Sequence, residues 1–313
     1  MKKDKRYFNY SRYLEHMFGG KVYKVSVDAG FDCPNLDGKE SDTGCIYCDN
    51  KAFSYHTQRD RKPLEEQIKT GMSFMEKRYG AKKFIVYFQA RTNTYTKPDI
   101  LREKLDVIKK FERVVGISIG TRPDYVNAAI LDVIDEYSGN YEIWMEYGLQ
   151  SIHNKTLNEI NRNHSYQNFI QAVELTRHYD KFKICAHIIL GLPGETKENM
   201  LETARELARL KLEGVKIHPL YVVKDTPLEK LYDEGKFSPL SQYEYIEIIS
   251  RVLSLLHPDT VIQRVTASCS PEYLVAPEWI NNRNELLKAL DIKLEKDGLW
   301  QGKKYSYVER DAR

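Results

Sequence analysis

No run of about 20 apolar residues occurs anywhere in this 313-residue chain, which excludes a membrane-spanning helix by length alone. The opening Met1-Lys2-Lys3-Asp4-Lys5 is followed by no apolar stretch of the signal-peptide kind, so a cytoplasmic protein with no membrane association is expected. Neither sign of charge is in excess. With 48 basic and 45 acidic side chains the net charge is +3, so the bulk field does not announce a nucleic-acid binder and any basic surface must be local. Cysteine is scarce. There are five, an odd number, and Cys33, Cys45 and Cys48 fall close together, which suits metal or cluster ligation in a reducing compartment better than a disulfide framework. Linkers rich in Pro, Ser or Gly, short repeats and low-complexity tracts are also missing.

What is present is an alternation of apolar strands and amphipathic helices. Strands are expected at Lys21–Val27, Lys83–Phe88, Val114–Gly120, Tyr141–Tyr147, Phe182–Leu190 and Val215–Tyr221, each followed by a helical pattern. Continuous apolar strands alternating with helices indicate a parallel sheet covered by helices, with right-handed crossovers. Six units are too few for a closed eight-stranded barrel, so the fold class is α/β, a partial (β/α)6 barrel spanning residues 21–258. A basic, aromatic N-terminal extension (residues 1–20) and a C-terminal extension (residues 259–313), with a strand at Val261–Thr266 and a helix at Pro277–Glu295, are expected to pack on it.

Cys33 lies just past the first strand, where sites on parallel α/β folds collect. Three thiolates leave one iron of a [4Fe–4S] cubane without a protein ligand, open to a substrate or cofactor. The competing reading is zinc, with His56 completing a Cys₃His set.

Gly30-Phe31-Asp32-Cys33-Pro34-Asn35-Leu36-Asp37-Gly38 followed by Gly44-Cys45-Ile46-Tyr47-Cys48 resembles the cluster loop of radical S-adenosylmethionine (SAM) enzymes, with the usual three-residue first gap widened to eleven. That widening matches the YhcC/YtqA group, which is related to the catalytic subunit of Elongator. The resemblance runs through Gln89-Ala90-Arg91-Thr92-Asn93-Thr94-Tyr95, Gly120-Thr121-Arg122-Pro123-Asp124, Glu146-Tyr147-Gly148-Leu149-Gln150-Ser151, Asn161-Arg162-Asn163-His164, Gly191-Leu192-Pro193-Gly194-Glu195-Thr196 and Lys216-Ile217-His218-Pro219-Leu220-Tyr221.

The resemblance implies a [4Fe–4S] cluster on Cys33, Cys45 and Cys48, with the aromatic Tyr47 beside it, and SAM as the second cofactor. Gln89, Asn93 and Thr94 stand where many radical SAM proteins hold the methionine amine, although no acidic residue occupies the segment here. Thr121 and Arg122 match a position near the carboxylate or ribose, Glu146 and Gln150 the ribose side, and Arg162 the methionyl carboxylate. Gly191 would let backbone approach the adenine; its simpler use is a tight turn ahead of a helix capped by Thr196. His164, His187, Lys216, His218 and Tyr221 are substrate-side positions, against which stands the reading of His187 as a hydrogen-bonded core residue. Cys185 reads as a small core residue and Cys269 as a thiol near the barrel mouth.

The implied activity is reductive cleavage of SAM to a 5′-deoxyadenosyl radical, with an electron donor such as flavodoxin or ferredoxin. The implied substrate is the C5 side chain of a wobble uridine in tRNA, with a carboxymethylaminomethyl-type group remodelled toward an aminomethyl one. The Elongator acetyltransferase portion is expected to be missing, so acetyl-CoA chemistry is not carried over. Two other readings stay open: a radical SAM enzyme acting on a small molecule such as a porphyrin precursor, and a non-catalytic, zinc-stabilised RNA-binding protein. Tyr7, Phe8, Tyr10, Tyr13 and Phe18, interleaved with basic residues, suit either base stacking on RNA or packing under the barrel. Lys303-Lys304-Tyr305-Ser306-Tyr307 forms a second small basic patch.

Overall fold

Seven parallel strands, in chain-neighbour order, make the sheet, six of them at the expected apolar runs. A computed structural model describes residues 6–49, 52 and 62–305; His56, Ser306, Tyr307 and the first five residues lie outside them. After α1 (Tyr10–Phe18) come β1 (Val22–Val27), α2 (Leu64–Tyr79), β2 (Lys83–Phe88), α3 (Pro98–Asp106), β3 (Val114–Thr121), α4 (Ala128–Asp135) and β4 (Glu142–Gln150). They are followed by α5 (Asn154–Glu159), α6 (Tyr166–Thr176), β5 (Phe182–Leu190), α7 (Lys197–Leu210), β6 (Gly214–Pro219), β7 (Val222–Val223), α8 (Pro227–Asp233) and α9 (Gln242–Leu255). The chain closes with β8 (Val261–Arg264), β9 (Leu274–Ala276) and α10 (Arg283–Lys296). The sheet order is β1-β2-β3-β4-β5-β6-β8, and β7 pairs with β9 in a separate antiparallel ribbon. Beyond the six expected units, the C-terminal extension contributes a seventh strand, β8, beside β6. No described helix is long and apolar enough to cross a membrane.

Strand alternation divides the side chains between two environments. Val25, Phe84, Val86, Ile117, Ile143 and Ile184 face the helices and belong to the main core. The opposite, lumen-facing positions begin with an apolar floor of Val22, Ile85, Trp144, Cys185 and Val261, closed from below by Tyr10 and Leu14 of α1. Tyr10 and Tyr13 stack on each other at 6.1 Å and both set their edges against Trp144. Of the two uses open to these aromatics, the structure employs packing. The extension is tied down by an Asn9–Ile262 bridge and by Gln301, whose side chain accepts from Phe8 N and donates to the carbonyls of His257, Pro258 and Thr260.

Candidate active site

The loop after β1 is folded back on itself. Pro34 O accepts from Glu40 N at 2.8 Å and Asn35 O from Gly44 N at 2.8 Å, so the eleven residues between Cys33 and Cys45 form a closed excursion that returns the chain to its start. Gly44 adopts φ +73°, and a Cβ there would lie 2.8 Å from the Leu36 side chain. The segment after α5 clasps this loop: Asn161 Nδ2 donates to Gly44 O at 2.6 Å, and Ile46 N donates to Ile160 O at 3.1 Å.

The sulfurs are met by donors. Asn35, 1 % exposed, points Nδ2 at Cys45 Sγ (3.4 Å) and at Asn161 O (2.8 Å). Arg162 Nη1 reaches the same sulfur at 3.6 Å, and Thr92 Oγ1 reaches Cys33 Sγ at 3.6 Å. Burial, reinforced by Cys45 and Cys33 close by, pushes the Cys48 thiol up, while Arg162 opposes this. Tyr47 is half-buried against Leu157, Ile160 and Leu220 beneath the loop.

Around this loop the structure places the other predicted residues as follows. Asn93 Nδ2 donates to Phe88 O (3.1 Å) and Gly120 O (2.7 Å), and its buried Oδ1 has no partner among the described residues. Thr94 and Thr121 hydroxyls bond each other at 2.5 Å. Gln89 N donates to Val27 O, and half-buried Gln150 sits at φ +69° at a β4–β5 irregularity. Gly191, at φ +89°, turns β5 into its helix with Leu240 packed where a Cβ would go, 2.9 Å away.

The two arginines expected to reach SAM each hold several protein partners. Arg122 donates bidentately to Asp124 (3.0 and 2.6 Å) and to the carbonyls of Arg162 and Asn163. Besides Cys45, Arg162 donates to Gly148 O at 2.9 Å and to His164 Nε2 at 3.0 Å. His164 lies 7 % exposed in the same brace, its Nδ1 against Ser165 O. The loop carbonyls need donors, and these side chains supply them.

Glu146 also holds several partners. It is fully buried in the lumen, above the Trp144 floor, where it holds Lys24, Lys216 Nζ (2.5 Å) and His187 Nε2 (2.7 Å). Lys216 also donates to Tyr87 OH, and Lys24 to Gln263 Oε1 at 2.8 Å. Burial would raise the Glu146 pKa, but Lys216, Lys24 and His187 hold it well below the carboxylate range. Burial lowers Lys24 to about 8 against the pull of Glu146. Glu146, Cys185 and His187 bring three metal-capable atoms within 4.8 Å of one another; two ammonium groups already occupy that carboxylate, so a metal cation would have to displace both. His218 stands 6.2 Å from the His187 ring, and Tyr221 is buried with its hydroxyl toward Ser268 O. Lys24, Tyr87, Gln263 and Arg264 do not stand out in the sequence, although a lysine on the same face of a strand as Val22 already signals an inward charge.

Burial, with Arg162 and Arg122 alongside, lowers the His164 pKa to about 3; burial, with Lys216 alongside, lowers His187 to about 4. Unfolding returns both to about 6.5, so below that pH the unfolded chain binds more protons and stability is lost as pH falls toward 4. The expected cost is about 2 kcal/mol per histidine between pH 7 and pH 5. Urea midpoints at the two pH values check this, and His187→Gln should flatten the slope.

Comparison with known proteins follows the same lines as the geometry. The family profile described as "Radical SAM superfamily" matches residues 42–207, and that of the "Radical_SAM C-terminal domain" matches residues 212–296. The chain is a radical SAM protein. Its relatives include YtqA of Bacillus subtilis, 36 % identical over 309 residues that cover 99 % of this chain and 96 % of YtqA. Elongator complex protein 3 of Saccharomyces cerevisiae is 27 % identical over 205 residues, 64 % of this chain and 36 % of that protein. The structure of Elp3 from Methanocaldococcus infernus superposes with a TM-score of 0.68 at 22 % identity, covering 90 % of this chain and 64 % of that one. Radical SAM proteins use a [4Fe–4S] cluster and SAM. With the radical SAM assignment, the non-catalytic zinc reading falls.

Proposed function

We propose that this radical SAM enzyme modifies the C5 side chain of a wobble uridine in tRNA, with Cys33, Cys45 and Cys48 holding the cluster. The donor set fits: Cys45 has an amide and a guanidinium beside it and Cys33 a hydroxyl, and the guanidinium can offset the charge of an anionic cubane. The unpartnered Asn93 Oδ1 fits the ammonium of SAM; its orientation is fixed because Nδ2 already faces two carbonyls. When bound, cluster and SAM supply a 5′-deoxyadenosyl radical; Arg162, Asn35 and Thr92 orient the sulfurs, and α1 with Trp144 seals the floor from water.

The observation that carries the substrate is the placement of the stretch from Lys216 to Leu228, which is similar to the segment lining the substrate side of Elongator's catalytic subunit. Lys216 and His218 face the lumen, and Leu228 N donates to Ile46 O within the cluster loop at 2.9 Å. The segment that lines the substrate side in the Elongator resemblance is thus bonded to the loop that would carry the cluster. The test is incubation of reconstituted protein, SAM and a reductant with tRNA from a strain lacking this gene, followed by nucleoside mass spectrometry. A change confined to C5-modified uridines is expected; an unaltered profile would overturn the assignment.

A further inference from the structure

Three cations, Lys24, Lys216 and Arg264, line the upper lumen, and Lys24 and Lys216 share one carboxylate, Glu146. Arg264 pairs with no carboxylate among the described residues. It donates to Ser268 Oγ at 2.9 Å, and it is half-buried. Withdrawing an unmatched guanidinium from water is costly unless an anion meets it.

The backbone is arranged to put it there. Along β6–β8, Val215 pairs with Ile262 but Lys216 with Arg264, so Gln263 is the extra residue of a bulge. That irregularity sets Arg264 beside lumen-facing Lys216, the kind of re-aiming that bulges produce near sites. His218 lies next to it. Burial, with Arg264, His187 and Lys216 as neighbours, keeps that imidazole neutral, and neither ring nitrogen has a hydrogen-bond partner among the described residues. Ser118, fully buried, carries an unpartnered Oγ on the lumen side of β3, since Ile117 and Ile119 point into the outer core. Tyr221 is electrostatically close to Arg264 on one side and to Cys48 on the other, so the pocket borders the cluster loop.

We propose that Arg264, with His218 beside it, binds the carboxylate on the C5 side chain of the substrate nucleoside and so sets the preference for an acidic group there. A guanidinium fork matches a carboxylate through two parallel bonds, and a neutral imidazole adds a third donor without adding charge. This rests on the tRNA reading above and narrows it.

The experiment uses reconstituted, SAM-loaded protein and two anticodon stem-loops that differ at one group: C5 carboxymethylaminomethyl, or its counterpart in which a neutral carbamoyl replaces the carboxylate and the amine is kept. Wild type should prefer the acid by about tenfold or more, the effect of one charged bidentate contact. Arg264→Gln should reduce that preference to about twofold or less, with Arg264→Lys between them. Equal binding of both RNAs by wild type, a preference that survives in Arg264→Gln, or a loss of SAM affinity in place of RNA discrimination would each overturn the pocket. If neither RNA binds, the tRNA reading fails and the pocket is judged separately. Phenylglyoxal labelling of Arg264, read by peptide mass spectrometry, should then fall as N-methylglycine is added, and labelling that ignores the carboxylate sinks the proposal.

Discussion

Replacement of Cys45 by alanine should leave a soluble, colourless protein that fails to assemble the cubane and no longer cleaves SAM. Cys45 is the sulfur on which two side chains converge, Asn35 at 3.4 Å and Arg162 at 3.6 Å, and it is buried, so no exposed residue can take its place. Asn35→Ala should give a graded version: groups that orient a ligand typically account for 10- to 100-fold, about 1.4 to 3 kcal/mol, in metal affinity or activity. Cys185→Ala is the control. That thiol sits in the apolar lumen floor, far from the donors that surround the loop sulfurs, and its loss should leave iron content unchanged. Iron and sulfide per chain, with the visible absorbance of anaerobically reconstituted samples, decide the matter. Full iron content in Cys45→Ala would remove the loop from the cluster altogether.

The second large effect is on stability. Glu146→Leu leaves two ammonium groups facing each other in a closed lumen with no counter-charge, and losing one partner of a buried ion pair costs about 3–5 kcal/mol. Urea unfolding should show that loss. Adding Lys216→Met to Glu146→Leu should restore part of it, because an apolar group of similar length removes a charge that otherwise has to be desolvated alone. A single variant within about 0.5 kcal/mol of wild type would show that water reaches Glu146 freely.

The parts of this architecture that could be read beforehand are those encoded locally. Apolar runs such as Phe182–Leu190 announce buried parallel strands, and the cysteine spacing announces the loop. The seventh strand was harder to place in the sheet because Val261–Arg264 is short and half polar, and its two polar residues are explained only by what lies across the lumen. The same applies to Glu146. Its position on β4 is visible in the sequence, but its partners come from β1, β5 and β6, far apart along the chain. Arg122 and Arg162 carry a similar lesson. A motif identifies the residue, whereas the nearby carbonyls of residues 148, 162 and 163 determine what its nitrogens can still reach.

Tyr10, Leu14 and Trp144 stop the lower end of the lumen. Nothing that reacts above that floor can pass out through it. A large macromolecular reactant would therefore have to present one flipped-out group at the rim rather than thread through.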